Sequence, residues 1–186
     1  IPPYTLPSAA DERGKGVVRR YPKAGDPIPH AKLLLWDLHE FELGNLPQPK
    51  VLAESTPHDE RIMTGVWWHP HQGSLIFSIS DRTQTWRELR AVGKPFLAGR
   101  QERPTVLLRE ESPAWVEPPA APGWLLDGSF VWRSELPTGR NRLHHVSADA
   151  SIVTAISPAD FEVHDFDVLH DGSQVIVTGD ARGGCV

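Results

Sequence analysis

Three stretches decide the fold: Trp67-Trp68-His69-Pro70-His71-Gln72-Gly73-Ser74-Leu75-Ile76-Phe77, Trp124-Leu125-Leu126-Asp127-Gly128-Ser129-Phe130-Val131-Trp132, and Phe166-Asp167-Val168-Leu169-His170-Asp171-Gly172-Ser173-Gln174-Val175-Ile176-Val177. Each is an apolar run, a polar turn ending in Gly-Ser, and a second apolar run. Glycine supplies the positive φ that a tight hairpin turn demands. The unit recurs at intervals of about 50 residues, the period of four-stranded propeller blades. Any antiparallel sandwich also carries Gly-turn hairpins, so the repeat alone leaves both architectures open.

Outward from these hairpins, short β-type runs dominate and helical periodicity is rare. Twelve strands are predicted, at 31–38, 51–54, 64–68, 74–80, 85–92, 105–109, 115–117, 129–134, 142–147, 151–156, 165–169 and 174–178. The 18 prolines and 15 glycines fit many short strands joined by punctuated turns. The expected class is all-β, a partial β-propeller of about three to four four-stranded antiparallel blades. Residues 1–30 read as an extended Pro-rich connector or arm, since Pro2, Pro3, Pro7, Pro22, Pro27 and Pro29 remove ladder donors. Blades are expected at about 31–92, 105–156 and, incomplete, 157–186, with loops at 94–104 and 113–123.

The bulk properties exclude several classes. With 186 residues, 39% hydrophobic and 23% charged, the chain has the make-up of a globular domain. A net charge of −5 without a Lys/Arg block leaves no footprint for nucleic acid. No apolar run approaches the roughly 18 residues of a membrane helix, so no membrane insertion is expected of this segment. Cys185 stands alone, which leaves no intrachain disulfide. The chain opens at Ile1 without a signal-peptide pattern and reads as a fragment of something longer.

Several motifs, in order, resemble the propeller of the dipeptidyl peptidase IV family. Tyr21-Pro22-Lys23-Ala24-Gly25 precedes the strand at 31–38. Val66-Trp67-Trp68 enters a blade, and Asp81-Arg82-Thr83-Gln84 followed by Leu89 is similar to the family's Asn-Arg-x-Gln step. Trp115-Val116, then Asp127-Gly128 running to Trp132-Arg133-Ser134-Glu135, then Phe161-Glu162-Val163 continue the series. The similarity spans about 15–180. There are departures. Gly139 is followed by Arg140-Asn141-Arg142-Leu143-His144, where the family has an aromatic and His-Leu-Tyr. After Trp115-Val116 the chain reads Glu117-Pro118-Pro119-Ala120-Ala121-Pro122, where the mammalian enzyme carries an Arg- and Phe-containing loop near its substrate.

The resemblance implies a parent that cuts dipeptides from peptide N-termini with a Ser-Asp-His triad in an α/β-hydrolase domain. Such a serine sits in a Gly-x-Ser-x-Gly elbow. This chain has none, and Ser74, Ser129 and Ser173 belong to hairpin turns. No catalytic residue, metal or cofactor is therefore expected. The family's amino-group-binding glutamate pair lies upstream of the Tyr-Pro-Lys-Ala-Gly segment; Asp11-Glu12, the acidic pair here, reads as solvated. Glu110-Glu111, His69 and His71 are expected at the surface, and His144-His145, His164, Asp165 and Asp167 read as ordinary strand polar residues. Trp67, Trp68, Trp115, Trp124 and Trp132 are expected to pack blade on blade.

The function implied is a non-catalytic propeller segment that helps wall the peptidase cavity. The expected partners are the hydrolase domain, the remaining blades and, through the parent, peptide substrates. Bare end blades predict that the chain either self-associates through them or is a stable remnant of a longer chain, because exposed apolar faces of that size are uncommon on soluble monomers. A periplasmic or extracellular site follows from the resemblance alone. The competing reading is a stand-alone propeller-type protein-binding scaffold.

Overall fold

The computed structural model describes residues 3–6, 17–20, 25–42, 44, 48–56, 60–93 and 103–181. Tyr21, Pro22, Lys23, Ala24, the pair Asp11-Glu12 and Cys185 lie outside them. The chain divides into two units, Ile1–Glu60 and Arg61–Val186.

In the first unit, β1 (Pro3–Leu6) pairs antiparallel with β2 (Val17–Arg20), so the segment read as an extended arm contains a two-stranded ladder. β3 (Lys32–Leu35) pairs with β4 (Lys50–Glu54), and the Lys32 ammonium meets Glu54 across the pair at 2.7 Å. The strand expected to run to Leu38 stops at Leu35. The Asp37 carboxylate accepts the His39 N–H at 3.0 Å, an N-cap that starts the five-residue helix α1 (Leu38–Glu42). Gly25, the last residue of the Tyr-Pro-Lys-Ala-Gly motif, is an exposed turn residue with φ 89°.

The second unit is a series of antiparallel sheets. β5 (Arg61–Trp68), β6 (Leu75–Asp81), β7 (Trp86–Val92) and β8 (Thr105–Glu111) form one four-stranded sheet in chain order. β9 (Gly123–Trp124), β10 (Phe130–Ser134), β11 (Arg142–Val146) and β12 (Val153–Ala155) form the next. β13 (Phe161–Val168) and β14 (Val175–Ala181) make a two-stranded pair. The fold is thus all-β, a partial propeller. The run at 105–111 completes the sheet begun at Arg61 rather than opening the following one. The strand expected at 115–117 is absent. Those residues form an extended connection, and the first strand of the second sheet is Gly123–Trp124 instead.

Turn chemistry explains why the hairpins recur. Gly73, Gly128 and Gly172 have φ of 61°, 89° and 69°. In two of these turns an aspartate hooks the serine beyond the glycine. Asp127 Oδ1 accepts from Ser129 N and Oγ at 2.9 and 2.5 Å, and Asp171 Oδ1 accepts from Ser173 N and Oγ at 2.9 and 2.6 Å. A further copy is Asp149-Ala150-Ser151, where Ala150 takes the left-handed conformation at φ 57°. The Ser147 hydroxyl, which donates to the same Oδ1 at 2.7 Å, and then the hook draw the Asp149 carboxyl down to a pKa of about 2.

Alternation then builds the core. Ile76, Leu89, Phe130, Trp132 and Val146 are buried together, with Trp67, Leu108 and Trp124 against them. The opposite face of the second sheet sends Val131 and Leu143 to Val163, Phe166 and Val177 of the β13–β14 pair. Gly123 is required there, because a Cβ would lie 2.4 Å from the Val168 side chain. Of the tryptophans expected between blades, Trp132 is buried and Trp67 and Trp124 are partly so, whereas Trp68 and Trp115 are about half exposed. Trp68 takes the other face from Trp67 by alternation, and Trp115 sits on the connection rather than in a strand. Trp132 is 1% exposed. Trp132→Ala is expected to cost about 3–5 kcal/mol, read as a lower denaturant midpoint at unchanged slope.

Candidate functional site: the seam between the two four-stranded sheets

Cross-strand register sets the residues of the seam. Trp132, His144 and Ala155 lie abreast on β10, β11 and β12, and Ser134 pairs with Arg142. Across from them, Arg87 on β7 is paired with Glu110 on β8. Glu110 uses both carboxylate oxygens. Oε2 accepts from Arg87 Nε at 2.9 Å and from Arg87 Nη2, and Oε1 accepts from Trp132 Nε1 at 3.2 Å. The Arg87 guanidinium also lies 5.1 Å from the Trp132 ring centroid. Glu110, expected at the surface, is 7% exposed; its i, i+2 relation to Leu108 on β8 places it on the packed face. Glu111 is exposed as expected and meets Arg109 at 2.6 Å. A buried carboxylate with its partners removed, or a buried arginine left without its carboxylate, is strongly unfavourable. Glu110→Ala is expected to cost about 3–5 kcal/mol in a denaturant melt, comparable to losing Trp132 itself.

The connection 112–122 is tied down on both sheets. Gln84 holds φ 58°, and its carbonyl accepts the Val116 N–H at 2.8 Å while its side-chain oxygen accepts Trp115 Nε1. Arg87 Nη1 reaches the Glu117 carbonyl. On the following sheet, Asn141 Nδ2 donates to Glu117 Oε2 at 3.1 Å, Asn141 N donates to Glu162 Oε1 at 2.9 Å, and Val163 N donates to the Asn141 carbonyl at 2.9 Å. The structure therefore brings motif residues onto partners remote in sequence: Gln84 onto Trp115, and Glu162 and Val163 onto Asn141. Ser134 Oγ accepts the Leu136 N–H at 3.1 Å and the Glu135 carbonyl accepts Gly139 N at 2.7 Å, so both shape the β10–β11 turn. Phe161 packs with Val131, Leu143 and Val163. Arg87, Glu110 and Asn141 had no motif to mark them; only the facing registers reveal them.

The serine of the second Gly-Ser turn is arranged against nucleophilic use. Ser129 is buried and its hydroxyl donates to Asp127 Oδ1, while His145 Nε2 lies 3.0 Å from the same Oγ. The imidazole thus donates to the serine oxygen, whereas an activating base would accept its proton. Among the described residues no three His, Cys, Asp or Glu converge as metal ligands.

His69, expected on the surface, is 3% exposed and joins two turns. Its Nδ1 accepts from His71 N and Gln72 N, each at 3.2 Å, and its Nε2 donates to the Gly128 carbonyl at 3.3 Å. The ring leans on Trp124 at 4.3 Å. His71 remains exposed. Nδ1 accepts two backbone N–H groups, so the ring must be neutral to serve. Burial pushes the His69 pKa below its ordinary 6.5, with the His71 charge adding to the effect, and burial does the same at His144. The unfolded chain then binds protons that the folded one refuses. Stability is full above about pH 6.5 and falls as pH drops below it. Urea midpoints are expected to decline from pH 8 to pH 5.5, and His69→Asn, which keeps an acceptor at the Nδ1 position, should flatten part of that decline.

The comparisons with known proteins agree with this architecture. The family model described as dipeptidyl peptidase IV (DPP IV) N-terminal region matches residues 1–178. No curated protein matches the chain. Among solved structures, the crystal structure of Porphyromonas gingivalis dipeptidyl peptidase 4 aligns with a TM-score of 0.68 and 18% identity. That alignment covers 89% of this chain and 22% of that one, so the chain spans about a fifth of the length of that peptidase. At such identity the likeness establishes the fold. The family model, matched along nearly the whole sequence, identifies the lineage: the chain belongs to the dipeptidyl peptidase IV N-terminal region family.

Proposed function

We propose that this chain is a wall segment in the propeller of a dipeptidyl-peptidase-type serine exopeptidase, limiting access to a peptidase cavity and supplying no nucleophile of its own. The observation that carries the reading is the family match over residues 1–178 on a pair of face-packed four-stranded sheets. The Gly-x-Ser-x-Gly elbow is missing from the sequence, and the buried Ser129 is committed to Asp127. The connection 112–122, pinned at Gln84, Arg87 and Asn141, gives such a wall a fixed rim. The partners on this reading are an α/β-hydrolase domain and further blades, with peptides reaching the cavity past the wall.

The chain alone is expected to leave a Gly-Pro reporter uncut. Robust turnover blocked by a serine-directed phosphonate would overturn the non-catalytic reading. Gating is tested in the longer protein. Loosening the rim with Gln84→Ala and Asn141→Ala should raise kcat/KM for a folded protein substrate several-fold relative to a dipeptide reporter. An unchanged ratio would remove the gating role while leaving the family assignment intact.

A further inference from the structure

The seam is filled by apolar packing over part of its length, but it opens into a cleft of about 460 Å³ between β8 and β10–β12. Leu108, Leu136, Val153 and Ala155 give it apolar walls, and Arg142 and His144 line the same space. His144 is 8% exposed, and its Nδ1 is buried without a hydrogen-bond partner. Arg142 Nη2 donates to the Ser157 carbonyl at 2.5 Å, yet its Nε is also buried and unpartnered. Buried polar atoms in folded proteins are nearly always satisfied, and here two residues that line one cleft each carry an orphan. The nearby carboxylates are already committed, Glu110 to Arg87 and Trp132, Glu111 to Arg109. Arg142 is a donor in any state, and the His144 imidazole donates from Nδ1 in the tautomer that carries its proton there.

The backbone of β12 adds an independent feature. β12 is the last strand of its sheet. Thr154 lies opposite His145, Ile152 O accepts from Ser147 N, and Ile156 N donates to Leu143 O. By antiparallel alternation, the N–H and C=O groups of Val153 and Ala155 point away from the sheet, beside the cleft their side chains line. Edge strands are ordinarily guarded by charge or proline. β8 carries Arg109, Glu110 and Glu111, whereas no charge occurs between Asp149 and Asp160.

We propose that this cleft binds the carboxylate-terminated end of an extended peptide, which adds as a strand to β12 and sets its terminal carboxylate between Arg142 and His144. Those two residues stand at the Ala155 end of β12, so the added strand runs parallel to it. Strand addition supplies main-chain bonds, the apolar walls take alternate side chains, and Arg142 supplies a charge-assisted bond to the carboxylate. This site is separate from the gating role and does not depend on it.

The probe is fluorescein-labelled Gly-Thr-Val-Thr-Val, titrated into the whole chain by anisotropy as the free acid and as the C-terminal amide. Saturable binding of the acid is expected, with the amide weaker by about tenfold, the loss of one charge-assisted contact. Arg142→Gln should abolish the difference between acid and amide. Ala155→Pro deletes an outward-facing donor that the β11 ladder does not use, and it should weaken both forms alike. If Ala155→Pro fails to fold, the Arg142→Gln comparison still decides the question. Equal binding of acid and amide to the unaltered chain, or no saturation up to millimolar peptide, would overturn the proposal. Concentration-dependent self-association abolished by Ala155→Pro, with no peptide binding, would do the same and assign the edge to a second copy of the chain.

Discussion

The carboxylate of Glu110 is the point at which two sheets become one body. Its two oxygens take the guanidinium of Arg87 from the neighbouring strand and the indole N–H of Trp132 from the opposite sheet. Arg87 has one further acceptor in the Glu117 carbonyl, and an ion pair this deep is tolerated only when its hydrogen bonds are complete. The arrangement is therefore directional in a way that apolar packing is not. Phe130, Val146, Ile76 and Leu89 are buried in the same cluster, but apolar contacts are non-directional and would accept a small slide of one sheet over the other. The Glu110 bonds would not, and they fix the register in which the sheets meet.

From that register follows the shape of the loops. Arg87 reaches past Glu110 to the Glu117 carbonyl, and Glu117 in turn meets Asn141, which is held by Glu162. A chain of polar contacts thus runs from β7, through the connection 112–122, to the start of β13. The departure of the sequence from its family's pattern after Trp115-Val116 falls within this chain. The segment that reads Glu117-Pro118-Pro119 is used here to brace neighbouring sheets.

The hairpins were legible in the sequence because their information is local. Gly73, Gly128 and Gly172 sit where positive φ is needed, and apolar alternation on either side marks the strands. The seam was not legible in the same way. Glu110 looks like half of a surface acidic pair until β8 is laid beside β7, and only the non-local register puts Arg87 and Trp132 within reach. His69 was misjudged for a related reason. In a turn flanked by Pro70, His71 and Gln72 it reads as solvated, but its ring takes two backbone N–H groups of that turn and is covered by Trp124. Asp37 hid a short helix inside an apolar run because one side-chain hydrogen bond outweighed strand propensity over three residues. The motif at Gln84 and Trp115 was visible by resemblance, while its physical meaning, a carbonyl and an amide side chain gripping one loop, belongs to the fold.

The turn at Asp149-Ala150-Ser151 carries a lesson about what is inherited in such repeats. It keeps the carboxylate hook to serine and has an alanine where its counterparts have glycine, at a conformational penalty of about 1 kcal/mol. The hook, with Ser147 bonded to Asp149, Ala150 and Ile152, holds the chain in its bend. Glycine is thus dispensable at one turn, as aspartate is at another, where Gln72 precedes Gly73. Sequence drift can erase the residue by which the eye finds the repeat and leave every strand in place. A search for hairpins by glycine alone passes over the turn at Ala150, and a search by Asp-x-Ser alone passes over the turn at Gly73.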